Sequence, residues 1–179
     1  FDNVEGRLVD LTGTYDSFTD EMNEHDLSSL SLANSRARLR MTTLYAIAGS
    51  TGGIVVGTGN KVEDFGVGFF TKYGDGGVDI SPIADRMKSE VYEVAKALDI
   101  IEEIQQAAPT DGLWDDGRTD EEQIGATYAE LEWAMMYEEN KSEDLTERQR
   151  QVLEIYRGFN KANSHKMNPI PIFEMKNRQ

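Results

Sequence analysis

The stretch from Ile54 to Val94, IVVGTGNKVEDFGVGFFTKYGDGGVDISPIADRMKSEVYEV, constrains the fold more than any other part of the chain. It opens on Ile54-Val55-Val56, a short apolar run with the composition of a strand buried in a parallel sheet. Gly57-Thr58-Gly59-Asn60 then turns the chain and presents a hydroxyl and open backbone N–H groups. In open α/β sheets, ligands sit just beyond the carboxyl ends of strands, so Thr58 stands where a ligand is expected. Glu63 follows within about one turn if a helix begins near Asn60. The segment from Gly66 to Gly77 is too glycine-rich and charged for a core helix, and its Phe pair makes it too aromatic for a plain linker. It reads as a loop that binds something anionic and flat.

The chain has 179 residues, enough for one domain with a sizeable core. Its 33 acidic and 18 basic side chains give a formal charge of −15, which argues against nonspecific binding to nucleic acid or acidic membranes. On that background, each Lys or Arg near the glycine-rich loop stands out as an anion contact. The lack of Cys excludes disulfides, thiolate metal sites and a Cys nucleophile. No apolar run reaches the roughly 18 residues of a membrane span, and no signal-like start is visible. The cytoplasm is the expected compartment.

Along the chain, Arg7-Leu8-Val9-Asp10-Leu11 half-alternates like a strand, and Thr14 to Met22 reads as a short helix. Ser28 or Ser29 is placed to cap the next helix and Gly49 to stop it. Within it Leu30, Ala33, Ala37, Met41, Leu44 and Ala48 form one helical stripe, with Leu32 and Leu39 on the opposite face. Arg36 and Arg40 share a face as an i, i+4 pair that Arg38 does not join; on pattern alone all three could be solvated. Val91, Val94, Ala95 and Leu98 mark a further amphipathic helix, and Pro109-Thr110-Asp111-Gly112 breaks the chain. Thr119 with Glu122, Thr127 with Glu130, and Thr146 with Gln149 each have capping-box spacing. Val152, Ile155, Tyr156 and Phe159 lie at core spacing in the last helix, which ends before Pro169. The acidic run from Glu138 to Asp144 reads as a solvated connection.

At GTGNKVEDFGVGFFTKYGDGGVDISPIAD the chain resembles the substrate loop of the ammonia-dependent NAD synthetases, in the N-type ATP pyrophosphatase superfamily. The likeness continues through NSRARLRMTTLYAIAG, APTDGLW, DGRTDEEQIGATYAELE and NSHKMNPIP, from about Asn34 to Pro171. The KYGDGG wording is similar to the ammonia-using members rather than those fused to a glutaminase domain. The resemblance implies a Rossmann-like α/β fold, adenine nucleotide alpha-hydrolase-like, with a mainly parallel sheet flanked by helices. It also implies a single synthetase domain over residues 1–179, in a homodimer packed through helices such as that of the Leu30–Ala48 stripe. Members carry an SGGxDS loop for the ATP pyrophosphate. Ser50-Thr51-Gly52-Gly53 precedes the apolar run and lacks the Asp-Ser, so the resemblance implies a fragment without its amino-terminal nucleotide-binding part.

By the same resemblance the function is ATP-dependent amidation of deamido-NAD by ammonia, giving NAD, AMP and pyrophosphate through an adenylated intermediate. Thr58, Lys88 and Thr110 match ATP contacts, and Arg38, Lys72, Asp79, His165 and Lys166 match deamido-NAD contacts. Glu63 matches a ligand of Mg²⁺, which prefers one or two carboxylates plus phosphate oxygens. Each match has a plainer alternative: a surface Glu, a loop or turn hydroxyl, a solvated Lys, a surface His. The family's hydroxyl cap before the helix-start Lys is replaced here by Met87. Phe69, Phe70 and Tyr73 either stack on a base or nicotinate ring or pack the loop; His25 reads as structural. Two alternatives stand beside this function: another ATP pyrophosphatase with a different substrate, and a non-enzymatic dimerisation and nucleotide-binding module.

Overall fold

Side-chain caps at Ser28, Thr119, Thr127 and Thr146 set the starts of four helices. The structure, a computed structural model, describes residues 2–139 and 144–173. Asp10 accepts from Thr12 N–H at 2.9 Å and opens α1 (Thr12–Glu21), two residues earlier than the sequence suggests. Of the two serines, Ser28 caps α2 (Ser29–Thr51) by accepting from Ser31 N–H at 3.2 Å. That helix runs past Gly49 and stops at Gly52, whose φ of 69° is left-handed. A π-helix follows at Val62–Val67, where buried Asn60 accepts from the Val62 and Glu63 N–H groups at 3.0 and 3.2 Å. Next come α3 (Lys88–Ala97) and α4 (Glu102–Gln106). Met87 offers α3 no hydroxyl, and only the Glu90 half of a capping box is made, accepting from Met87 N–H at 2.7 Å. The expected Thr/Glu and Thr/Gln boxes open α5 (Asp120–Ile124), α6 (Tyr128–Glu139) and α7 (Glu147–Met167).

The core forms where the π-helix, α6 and α7 meet. Val62, Val67, Leu131, Val152 and Leu153 are almost fully buried there, with Ala134, Met135 and Tyr156 around them. The spacing expected of α7 holds: Val152 and Tyr156 are buried, and Ile155 and Phe159 pack against the cluster. The stripe on α2 meets the glycine-rich loop. Ala33 and Ala37 are buried, and a Cβ on Gly74 would lie 2.9 Å from the Ala37 Cβ, so small residues on both sides permit the approach. Leu30 and Leu44, towards the two ends of the stripe, are exposed. Leu98 and Val94 of the α3 face are exposed as well.

The expected Rossmann-like α/β fold with a mainly parallel sheet is corrected by this architecture. Among the described residues there is no sheet, only one parallel bridge between Val56 and Ile80. Gly57 N–H donates to Ile80 O at 2.7 Å and Asp79 N–H to Val55 O at 2.9 Å. A buried parallel strand needs pairing along both edges and cover on both faces. Here Val55 is buried, but Ile54 and Val56 remain 60% and 51% exposed, with a partner on one edge only. The Arg7–Leu11 strand is not formed either; it has no neighbouring strand, and Leu8 is 98% exposed. Helices therefore carry the fold.

Arg36, half-buried, and Arg40, exposed, are both tied to the 110–115 loop. Arg36 donates to Leu113 O at 2.9 Å and Asp115 at 3.0 Å, with its guanidinium 4.5 Å from the Tyr15 ring. Arg40 donates to Asp111 O and Gly112 O at 3.2 and 2.8 Å. Together they hold the 110–115 loop against α2. Residues 140–143 of the acidic run lie outside the described residues, so the expected solvated connection does too; Glu138 itself pairs with Arg157 at 2.6 Å. Among the described residues, no helix is long and apolar enough to cross a membrane.

Candidate functional site

Three stretches of the sequence converge on one cavity of about 490 Å³. Thr58 comes from the turn after the apolar run, Glu63 from the π-helix, Lys88 from the first turn of α3, and Thr110 from the loop held by Arg36 and Arg40. Arg40, Asp75, Asp111 and Asp120 complete its polar wall. Lys88 Nζ lies 3.2 Å from Glu63 Oε1, with the two side chains only 21% and 16% exposed. The same ammonium sits 4.6 Å from the centroid of the Tyr128 ring, a cation–π contact. Tyr128 OH donates to Glu63 Oε1 at 2.5 Å, and its oxygen is 3.2 Å from Asp120 Oδ2. A hydroxyl carries one proton, so the second contact is a hydrogen bond when Asp120 holds a proton of its own. Burial pushes the Asp120 carboxyl up, against the pull of the Tyr128 hydroxyl, and the Glu63 charge adds to the rise. Burial and then Glu63 likewise drive the Tyr128 phenol far up, so it stays a donor. The other oxygen of Asp120, Oδ1, is buried without a hydrogen-bond partner.

The donor set suits a hard cation that draws its remaining ligands from elsewhere. Among the described residues no three metal-ligating side chains cluster. Mg²⁺ does not require that, since one or two carboxylates plus phosphate oxygens and waters suffice. Lys88 and Tyr128 already engage Glu63 Oε1, so Glu63 has only Oε2 to offer such an ion, and an all-protein metal cage does not fit.

Arg38, Lys72, His165 and Lys166 form a second group where the end of α7 meets the glycine-rich loop. Lys72 Nζ donates to His165 O at 2.6 Å, and Arg38 Nε to Lys72 O at 3.3 Å. Lys166 Nζ donates to Gly68 O and Phe70 O at 3.0 and 2.7 Å. Burial pulls the Lys166 ammonium below its usual range, against the pull of Asp75. A cavity of about 250 Å³, lined by Thr58, Glu63, Asp64, Asp75 and Lys166 among others, connects the first group to Lys166; Arg38, Lys72 and His165 do not line it. Asp64 there is raised to about 6, by burial first and then by Glu63 and Asp75. Asp79 stands apart from both groups. Its Oδ2 accepts from Val55 N–H at 2.7 Å and its Oδ1 from Tyr45 OH at 3.1 Å.

Sequence reasoning missed Tyr128 and Asp120. The Thr119 capping box places Asp120 in a first helical turn without saying which way it points, and Tyr128 lies 65 positions from Glu63. The i, i+4 spacing of Arg36 and Arg40 was the available signal for the loop clamp.

The sequence profile described as NAD synthase matches residues 2–169. The chain belongs to the NAD synthase family. It is 42% identical over 130 residues to the NH(3)-dependent NAD(+) synthetase of Methanococcoides burtonii, covering 72% of this chain and 49% of that protein. With the protein of the same name from Thermoplasma acidophilum it shares 45% over 126 residues, covering 70% and 51%. The chain thus spans about half the length of these relatives. Among solved structures, an NMN synthetase from Francisella tularensis matches with a TM-score of 0.84 at 32% identity, over 97% of this chain and 68% of that one. An NH3-dependent NAD synthetase from Campylobacter jejuni shares the fold, with a TM-score of 0.73 at 24% identity over 96% and 67% of the chains.

Proposed function

We propose that this NAD synthase family chain serves the ATP-dependent amidation of deamido-NAD by ammonia, giving NAD, AMP and pyrophosphate. The observation that carries the reading is the convergence of Thr58, Glu63, Lys88 and Thr110 on one cavity. In this reaction a nicotinate carboxylate oxygen attacks the α-phosphorus of ATP, and pyrophosphate leaves with the electron pair of the broken P–O bond. Ammonia then attacks the adenylated acyl carbon, AMP departs, and a proton is lost to leave the amide. No side-chain nucleophile is needed; positioning and charge do the catalysis.

Each wall of the cavity has a part in this reading. Lys88 spends one N–H on Glu63 and keeps two for phosphate oxygens, at the electropositive start of α3. Thr58 offers its hydroxyl, and Thr110, whose Oγ1 donates to Arg118 O at 3.3 Å and accepts from Gly112 N–H at 3.2 Å, would exchange the first bond for a phosphate oxygen. Mg²⁺, when bound at Glu63, neutralises phosphate charge. Lys166, on the joining cavity with an N–H donor left over, would receive the dinucleotide there, and Lys72 and Arg38, tied to His165 O and Lys72 O, would meet the part of it that extends past the cavity. Asp79 takes part through the backbone it holds, or by giving up its Tyr45 bond to a ribose hydroxyl. A homodimer through the ends of the α2 stripe, and a cytoplasmic location, belong to the same reading.

The likeness to the Francisella NMN synthetase favours a second reading, in which the amidated substrate is a mononucleotide. The deciding experiment follows AMP release with ammonium, Mg-ATP and either deamido-NAD or nicotinate mononucleotide. The first reading expects turnover with the dinucleotide, lost in Glu63→Ala; turnover with the mononucleotide alone supports the second. Nucleotide binding with neither substrate turned over would leave a non-enzymatic binding module.

A further inference from the structure

The π-helix that carries Glu63 ends in a problem common to helices: its last carbonyls have no partner within the helix. Three side chains of α7 supply the donors. Asn160 Nδ2 donates to Gly66 O at 2.8 Å, and Asn163 Nδ2 to Val67 O at 2.8 Å. Lys166 Nζ continues the series to Gly68 O at 3.0 Å and Phe70 O at 2.7 Å. Residues 160, 163 and 166 recur every three positions, so they stand on one face of α7. They meet successive carbonyls of the descending loop in order. Contact is close enough to exclude a side chain at Gly68: its φ is +61°, and a Cβ there would lie 2.5 Å from the Asn163 Cβ. The same stretch returns to the site, because Phe69 N–H donates to Glu63 O at 3.0 Å. The glycine-rich loop is therefore held against α7 at the point where the two groups of site residues join.

We infer that Asn160 and Asn163 are positioning residues, which cap the π-helix from α7 and fix the glycine-rich loop in the geometry that receives the dinucleotide. Neither touches the main cavity; they act through the backbone of residues 66–70. Their amides are neutral donors, so they order the loop without adding charge that competes with Lys72 and Lys166 for an anion. The inference rests on the dinucleotide reading above. It predicts that loosening these two bonds weakens dinucleotide binding by disordering the loop, since preorganisation lowers the cost of binding.

The test compares the wild-type chain with Asn163→Ala and with the Asn160→Asp/Asn163→Asp double variant, whose carboxylates repel the loop carbonyls. Hydrogen exchange is read across residues 66–72 and across α6, and deamido-NAD and Mg-ATP are titrated by calorimetry. The expected result is exchange about tenfold faster in the loop with α6 unchanged, a local opening. It is accompanied by a deamido-NAD Kd raised about tenfold and by a smaller rise, about threefold, in the Mg-ATP Kd, because the capped helix carries Glu63. Asn163→Ala should show the same pattern more weakly, which keeps the test open if the double variant unfolds. Unchanged loop exchange, equal acceleration throughout the chain in both variants, or a loosened loop with unchanged dinucleotide affinity overturns the inference. If the wild type binds no dinucleotide while the loop still loosens selectively, the functional reading fails and the clamp stands.

Discussion

Glu63 is held from three directions. Lys88 and Tyr128 both reach its Oε1, and Asn60 N–H lies 3.4 Å from its Oε2. A hydrogen bond to a charged group contributes roughly 1.5–3 kcal/mol, against about 1 for a neutral pair. Tyr128→Phe removes the hydroxyl but leaves the ring under the Lys88 ammonium. It is expected to cost about 1–2 kcal/mol in urea unfolding and to raise the Mg²⁺ concentration needed for half-maximal ATP binding. An unchanged unfolding free energy would show that the Tyr128 bond contributes nothing. Asp64 behaves oppositely, because burial beside Glu63 and Asp75 raises its folded pKa from 3.8 to about 6. Between those values the folded protein binds more protons than the unfolded chain, so stability falls as pH rises from about 4 to 6 and levels off above. Full linkage of a two-unit shift is about 3 kcal/mol, which solvent screening of this partly exposed group reduces to about 1. Asp64→Asn should therefore be more stable than wild type at pH 7 by roughly 1 kcal/mol and equal to it near pH 4. Denaturant melts at the two pH values check this, and a variant less stable at pH 7 would reverse the sign.

Local chemistry explains which elements were legible in the sequence. The boxes at Thr119, Thr127 and Thr146 work within four residues, and all three form where the spacing places them. The buried face of α7 was equally readable, since its period is set by the helix itself. Ile54–Val56 was not, because a strand is defined by partners, and three apolar residues say nothing about who pairs with them. The π-helix was hidden for a related reason: its extra width is fixed by Asn60 at one end and α7 at the other. Of the site, Thr58, Glu63, Lys88 and Thr110 were readable through wording shared with a family, whereas Tyr128 and Asp120 depend on α5 and α6 folding back. Thr146→Ala tests the local part of this account. Loss of the cap should destabilise the protein by about 1 kcal/mol, measured by denaturant midpoint with an unchanged slope. No loss would mean that the entry of α7 is set by its packing alone.

At the scale of the whole molecule, the charge of −15 repels anions at long range, so any polyanionic ligand would have to gain its affinity from local contacts. The cations lining the two cavities are few and already tethered: Lys88 to Glu63, Arg40 to Asp111 O and Gly112 O, Lys166 to the loop carbonyls. Tethering fixes their positions before a ligand arrives, and each ammonium has three donors, so none is used up. The account therefore stands on Lys88 as a phosphate contact in a preformed pocket. The most direct measurement is calorimetric titration of Mg-ATP into the wild-type chain and into Lys88→Ala, with helicity checked by circular dichroism. The account predicts saturable binding by the wild type and affinity at least about tenfold weaker in the variant, a difference of about 1.4 kcal/mol. No wild-type binding, or matching isotherms for the two folded proteins, would contradict it.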